Sequence, residues 1–489
     1  MAKKSSLWQS YEENSISCRS YYHLMTLIKS ISGIRGTIGG RSGEGLTPLD
    51  IVKFSAAFGT WAMHQIPANG KRPLMVVGRD ARVSGKLVDS IVCSTLNSLG
   101  IDVVNAGLAT TPTVEMAVPL TGAIAGIILT ASHNPGEWNA LKLLNRFGEF
   151  ISGKEGEEVL LLAGQEMFEF VSADRLGTSS DKDFLPYHVQ KVMELPDVNC
   201  EAIRRADLTV VVDAVNSVGG ITVPLLLEAL GVRKVVLLNC IPDGKFAHNP
   251  EPLPEHLGKL SDEVVKSKAD MGFAVDPDVD RLAMINQDGS FFGEEYTLVA
   301  IADYILSKTK GNTVSNLSSS RALRVVTELH GGQYLATPVG EVNVVNGMKQ
   351  TNAVLGGEGN GGVIFPALHY GRDALVGIAL FLSYYAEIGK SMTEIRAGLP
   401  FFEMAKKRID LPAGTDMQRI FSQIQLNYKG FPCITSDGLK IEFPEGWVHL
   451  RKSNTEPIIR VYSEAGSLKE AEQLGNRFVQ EILDFVKKC

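Results

Sequence analysis

The sequence is poor in the features that mark secreted, membrane-spanning or nucleic-acid-binding chains. Six cysteines stand in 489 residues, at Cys18, Cys93, Cys200, Cys240, Cys433 and Cys489, with no C-x-x-C pair. That scatter gives no disulfide framework and reads as reduced thiols in a cytoplasmic protein. Long apolar runs are missing. The longest, Ala117 to Thr130, is interrupted by Pro119, Thr121 and Gly122, and falls short of the roughly 18 residues of a spanning helix. Positive charge is not in excess. A net charge of −7 argues against binding nucleic acid or an anionic membrane, while leaving room for local basic pockets. The opening residues, MAKKSSLWQSYEENSISCRSYYHL, are polar and lack a secretory h-region. Residues 1–24 are read as a flexible extension, because strand-like sequence starts only after Met25.

Nucleotide fingerprints are absent too. Gly389-Lys390-Ser391 lacks the P-loop glycine five positions earlier, where Tyr384 stands. Gly357, Gly359 and Gly362 satisfy G-x-G-x-x-G, but Val363-Ile364-Phe365-Pro366 follows where a dinucleotide fold requires a helix.

With 44% hydrophobic and 21% charged residues the chain is globular, and its length calls for three or four domains. Thr47-Pro48 with Asp50 signals a helix start. Ile51, Phe54, Phe58 and Trp61 follow at helical spacing. Leu74–Val77, a helix over 84–99 and Ile101–Val104 then read as a βαβ unit. The pattern recurs from Leu208 to Leu238 and from Thr313 to Thr337, predicting three similar α/β domains. The end of the chain differs. An Asp437-Gly438 turn, strands at Trp447–Leu450 and Ile458–Tyr462, and a capping-box pattern at Ser467 to Glu470 before a helix predict a smaller α+β domain.

Four segments carry chemistry. Thr130-Ala131-Ser132-His133-Asn134-Pro135 ends a buried strand, where open α/β sheets place ligands. A serine there, beside an imidazole, can serve as nucleophile or phosphoryl carrier. Asp276-Pro277-Asp278-Val279-Asp280-Arg281 sets three carboxylates at alternate positions, a donor set for a hard cation such as Mg2+. An EF-hand is excluded, because Arg281 and Gln287 occupy its glycine and glutamate positions. Gly357-Glu358-Gly359-Asn360-Gly361-Gly362 offers a carboxylate and an amide to sugar hydroxyls. Arg451-Lys452-Ser453-Asn454-Thr455-Glu456-Pro457, with Arg460, gathers donors suited to a phosphate.

Together these segments resemble the α-D-phosphohexomutase superfamily, with TASHNP similar to its phosphoserine loop, DPDVDR to its metal loop, GEGNGG to its sugar loop and RKSNTEP to its phosphate loop. Ser32-Gly33-Ile34-Arg35-Gly36 and Gly78-Arg79-Asp80 match two further family segments. The resemblance implies four domains around a central cleft. The expected boundaries are 25–178 for the phosphoserine-loop domain, 179–292 for the metal-loop domain, 293–402 for the sugar-loop domain and 403–489 for the phosphate-binding domain. It implies a phosphoserine at Ser132, with Ser132, Asp276, Asp278 and Asp280 holding Mg2+. His133, Arg35, Lys142 and Arg281 would line the reacting centre. Glu358 and Asn360 would read the sugar, and Arg451, Ser453, Asn454, Thr455 and Arg460 would hold the second phosphate.

The implied reaction interconverts 6-phospho and 1-phospho hexoses through a bisphosphorylated sugar, which also serves as activator. Partners are then small hexose phosphates, for a monomer or homodimer. Gly359-Asn360 departs from the GEMSG and GEQSG of the family's mannose/glucose and glucosamine enzymes. SNTEP is more like phosphomannomutases, whereas TLIKSISGIRGTIGG resembles phosphoglucosamine mutases. Glucosamine phosphate is the reading adopted, over glucose or mannose phosphate. A phosphatase, and a non-catalytic sugar-phosphate-binding protein on the same scaffold, are the rivals.

Overall fold

The computed structural model describes residues 25–30, 33–65, 72–412, 414–452 and 458–488. The proposed extension over residues 1–24 lies outside them. Local signals act as the sequence suggests. Thr47 and Asp50 form a reciprocal capping box at the start of the helix Pro48–His64. Ile51, Phe54, Phe58 and Trp61 are buried on that helix. At Ser467 the hydroxyl accepts the Glu470 N–H at 3.3 Å and donates to Glu470 Oε2 at 2.9 Å, opening the helix Leu468–Lys488.

Three mixed sheets repeat one design. In each, an entirely buried strand runs parallel to its βαβ neighbours, then returns through a tight connection into an antiparallel partner. In the first sheet Ala125–Leu129 lies parallel to Leu74–Arg79 and antiparallel to Trp138–Leu144. In the second, Met271–Val275 lies parallel to Thr209–Asp213 and antiparallel to Leu282–Asn286. In the third, Leu355–Glu358 lies parallel to Thr313–Asn316 and antiparallel to Gly362–Ile364. Strands covered on both faces carry near-continuous apolar or small residues, as AGIIL and MGFAV do. The connections between the antiparallel partners are the Ser132 loop, the Asp276–Arg281 loop and the Gly359–Gly361 turn. The three domains therefore present their functional loops from the same position of the same motif.

The fourth sheet is antiparallel throughout, in the order Glu403–Asp410, Ile458–Ala465, Gly446–Lys452, Leu439–Glu442, Cys433–Ile434. Leu474, Phe478 and Ile482 of the last helix join Ile409, Ile441 and Val461 in its core. Phe273, Val299, Leu375 and Phe381 belong to one apolar core that runs through the second and third units. The helix Ala374–Ile388, buried from Ala374 to Tyr384, is apolar nearly all round and must be enclosed. No helix among the described residues is long and apolar enough to cross a membrane.

Candidate active site

Ser132 sits at the carboxyl end of its strand with φ of +49°. This left-handed backbone costs a residue with a Cβ of order 1–3 kcal/mol, so the surroundings must impose it. Thr130 Oγ1 accepts the Ser132 N–H at 2.9 Å and donates to Asp80 Oδ2 at 2.6 Å. The buried Arg82 guanidinium donates to the carbonyls of Ser132 (2.5 Å), Asn134 (2.7 Å), Pro135 (2.6 Å) and Trp138 (2.9 Å), with its Nε on Asp80 at 3.0 Å. One arginine thus shapes the whole loop. The sequence reading stopped at Arg79-Asp80 and missed it.

The Ser132 hydroxyl donates to Asp276 Oδ2 at 2.7 Å, joining the first two units, and His133 Nδ1 stands 3.4 Å from the same hydroxyl oxygen. Asp276, Asp278 and Asp280 are fully buried, each with one carboxylate oxygen within 4.8 Å of the others. Asp276 Oδ1 accepts the N–H groups of Asp280 and Arg281 at 3.1 and 3.2 Å. Between the acids, Val279 holds φ of +62°, a rare conformation for a β-branched residue. Asp278 Oδ2 accepts from Lys142 Nζ at 2.7 Å and Thr111 Oγ1 at 2.5 Å. Asp280 Oδ2 accepts from Arg372 at 2.7 Å. The other oxygens, Asp278 Oδ1 and Asp280 Oδ1, are buried without partners. Converging anionic oxygens with unsatisfied lone pairs fit a hard divalent cation.

Electrostatics separates the three acids. Burial, then repulsion from Asp280 and Asp278, pushes Asp276 well above the ordinary carboxylate range. Burial works the same way on Asp278, but the charge and hydrogen bond of Lys142, with the hydrogen bond of Thr111, hold that carboxyl low. The same pairing, against burial, raises the Lys142 ammonium above its usual value. His133 is held well below its usual value by burial, then by Arg281. A neutral imidazole therefore faces the Ser132 hydroxyl. Arg281 reaches Glu251 at 3.4 Å and lies 4.0 Å from Asp280.

Arg372 is the largest omission of the sequence reading. Its Nε reaches Glu341 at 2.8 Å and its two terminal nitrogens reach Glu358 at 3.0 Å and Asp280 at 2.7 Å, tying the metal loop to the sugar loop. Glu358 also accepts from Asn316 Nδ2 at 2.9 Å and the Gly340 N–H at 3.1 Å. Burial pushes Glu358 up, but Arg372 and the hydrogen bonds from Asn316 and Gly340 together keep it below the usual range. Asn360 turns onto its own loop, its side-chain oxygen accepting the Gly362 N–H at 3.2 Å. Gly359 leaves no room for a side chain, since a Cβ there would stand 2.0 Å from Glu295 Oε1.

In the fourth unit, Arg460 lies directly opposite Arg451 on one neighbouring strand and Arg408 on the other. Arg451 is paired with Asp437 at 2.9 Å and Arg408 with Asp410 at 3.1 Å. Like charges in register repel, and an anion over this face relieves them. Burial, then the charge of Arg460 in the fourth unit, lowers Arg35 of the first. Ser453, Asn454 and Thr455 lie outside the described residues.

Family profiles match this arrangement domain by domain. Residues 27–168, 186–289 and 293–401 match α/β/α domains I, II and III of phosphoglucomutase/phosphomannomutase. Residues 403–481 match its C-terminal domain. The chain belongs to the phosphoglucomutase/phosphomannomutase family. A phosphoglucomutase/phosphomannomutase of Thermococcus kodakarensis is 36% identical over 92% of this chain and 98% of its own length. A probable phosphoglucosamine mutase of Methanopyrus kandleri is 32% identical over 94% and 97%. A crystal structure of a family protein from Burkholderia thailandensis superposes with a TM-score of 0.81 at 27% identity, covering 95% of this chain and 98% of that one. The enzyme is accordingly a phosphohexomutase, an isomerase of the α-D-phosphohexomutase superfamily.

Proposed function

We propose that this phosphohexomutase interconverts glucosamine 6-phosphate and glucosamine 1-phosphate through a phosphoserine at Ser132. The observation that carries the reading is the Ser132 hydroxyl, 2.7 Å from Asp276 within the buried acid triad. Ser132, Asp276, Asp278 and Asp280 would hold Mg2+, which when bound neutralises charge on the transferred phosphoryl group. The phosphoserine P–O bond breaks as the free hydroxyl oxygen of the sugar phosphate bonds to phosphorus. The hydroxyl proton passes by way of neutral His133 to the departing Ser132 oxygen, 3.4 Å from its Nδ1. Lys142 and Arg281 offset the phosphoryl charge, while the arginines of the fourth unit grip the other phosphate. The bisphosphate then turns end for end and returns its other phosphoryl group to Ser132, whose hydroxyl proton passes back through His133 to the sugar oxygen released.

Free sugar bisphosphate would phosphorylate Ser132 initially. The choice of glucosamine rests on the opening TLIKSISGIRGTIGG and on relatives carrying that name. The wider reading assigns domains at 25–178, 179–292, 293–402 and 403–489 to a cytoplasmic monomer or homodimer acting on small hexose phosphates rather than nucleic acid or membrane. The test is a coupled assay on purified enzyme with glucosamine 6-phosphate, glucose 1-phosphate and mannose 1-phosphate in parallel. Faster turnover of either hexose 1-phosphate sinks the glucosamine assignment. Inorganic phosphate released in place of isomer sinks the mutase reading of the site.

A further inference from the structure

Behind the reacting centre, where the first, second and third units meet, lies a polar cluster that the phosphoryl-transfer reading does not use. His188 projects from the helix Leu185–Met193, Glu115 from the helix Thr111–Thr121, and Asp373 is the N-cap of the helix Ala374–Ile388. His369 stands four residues before Asp373. His188 Nε2 and His369 Nε2 face one oxygen, Asp373 Oδ2, at 2.8 and 3.3 Å. Ligand atoms of these three residues all lie within 4.8 Å of one another. The outer ring nitrogens face oxygens of the first unit: Thr113 Oγ1 is hydrogen-bonded to His188 Nδ1 at 2.9 Å, and Glu115 Oε2 stands 3.4 Å from His369 Nδ1. Asp373 Oδ1 is spent on capping the helix through the Leu375 and Val376 N–H groups.

Glu115 is the independent sign that something belongs here. Its side chain is 1% exposed, and neither oxygen has a hydrogen-bond partner. An unpartnered buried carboxylate is expensive; burial, then Glu341 and Asp280, raise its carboxyl well above the ordinary range against the opposing charges of Lys142 and Arg372. Two imidazole nitrogens converging on one carboxylate oxygen, with a hydroxyl hydrogen-bonded behind one ring and a buried carboxylate behind the other, supply the donors of a transition-metal site and its supporting shell.

We infer that His188, His369 and Asp373 bind a second divalent cation of the zinc class, with Thr113 and Glu115 orienting the imidazoles. Tetrahedral zinc with bonds near 2.0–2.1 Å sets ligand atoms about 3.3 Å apart. The His369–Asp373 separation already matches, and the His188–Asp373 contact opens by a few tenths of an ångström. Imidazole donors select zinc over magnesium, so this site and the acid triad take different metals. A metal here pins the second unit to the third, beside Arg372.

The test uses the full-length enzyme saturated with Mg2+, equilibrated with Zn2+ and freed of unbound metal. Metal content by mass spectrometry should show stoichiometric retained zinc in the wild type. His369→Gln should weaken zinc retention by about ten-fold or more while circular dichroism stays unchanged, and His188→Gln should do the same. Cobalt in place of zinc should give visible absorption that is lost in His369→Gln. Asp278→Asn, which disables the acid triad, should keep the zinc. No retained zinc, or zinc lost in Asp278→Asn but kept in His369→Gln, overturns the inference. Should His188→Gln fail to fold, His369→Gln decides alone.

Discussion

Arg82, Ser132 and Glu295 show how single side chains set the site. Arg82 fills four carbonyls and neutralises a buried Asp80. Arg82→Met strands both, and breaking such a buried pair costs about 3–5 kcal/mol. Denaturant unfolding should show that loss, with kcat falling more than KM as the serine drifts from its attack geometry. Ser132→Ala removes one hydroxyl from the tip of the same loop. Turnover should vanish while the melting temperature holds, and intact-mass analysis should find a phosphate on the wild type and none on the variant. Retention of near wild-type rate would refute the phosphoserine. Glu295 carries a pH signature. Burial pushes its carboxyl up to about 8, so the folded protein binds a proton there that the unfolded chain has released. Its contribution to stability is complete below the unfolded value of 4.5 and is lost as pH rises through about 8. Glu295→Gln should therefore flatten the melting temperature across that window, gaining on the wild type at its alkaline end.

At the scale of elements, the antiparallel pairs decide what the loops can reach. Cross-strand register sets Arg408, Arg460 and Arg451 side by side, although 52 residues of sequence separate Arg408 from Arg460. The non-transferring phosphate is held alike in ground and transition states, so losing a contact to it raises KM rather than lowering kcat. Arg460→Ala should cost about 1.5–3 kcal/mol of binding, roughly ten- to a hundred-fold in affinity, read from KM. Arg408→Ala should act in the same direction. An unchanged KM in Arg460→Ala places this ladder outside the site.

At the scale of the molecule, the fourth unit is fastened to the third through Glu464. Its carboxylate accepts the Arg321 N–H at 3.1 Å and the Trp447 indole N–H at 2.6 Å. His449 to Ser318 at 3.0 Å, Asp437 to the Val339 N–H at 2.9 Å, Lys440 to the Leu317 carbonyl at 2.9 Å and Arg324 to Glu442 at 3.1 Å cross the same joint. A mutase must keep its bisphosphate while it turns, and a loosened joint lets it leave. Glu464→Ala strands the buried Trp447 indole N–H, at about 1–3 kcal/mol, and frees the half-buried Arg321 N–H. The expected result is a higher requirement for added sugar bisphosphate, with kcat recovered once the activator saturates. An unchanged activator requirement would separate this joint from retention of the intermediate.

The sequence by itself determined the repeated βαβ units, the strand-to-loop placement of Ser132 and the acid loop, and the family. These depend on local periodicity, caps and contiguous motifs, which neighbouring residues encode. The return strands Trp138–Leu144 and Leu282–Asn286 were not legible, because Asn139, Lys142 and Asn286 interrupt their apolar runs and neither alternates. Only the tertiary structure could bring Arg372 to Asp280, 92 residues away, and to Glu358. The same holds for Arg82, Arg408 and the His188–His369–Asp373 cluster. In one dimension an isolated arginine or histidine looks like any solvated side chain. Its role comes from burial beside partners on other elements, where desolvation makes each unpaired charge costly and so fixes which charges must meet.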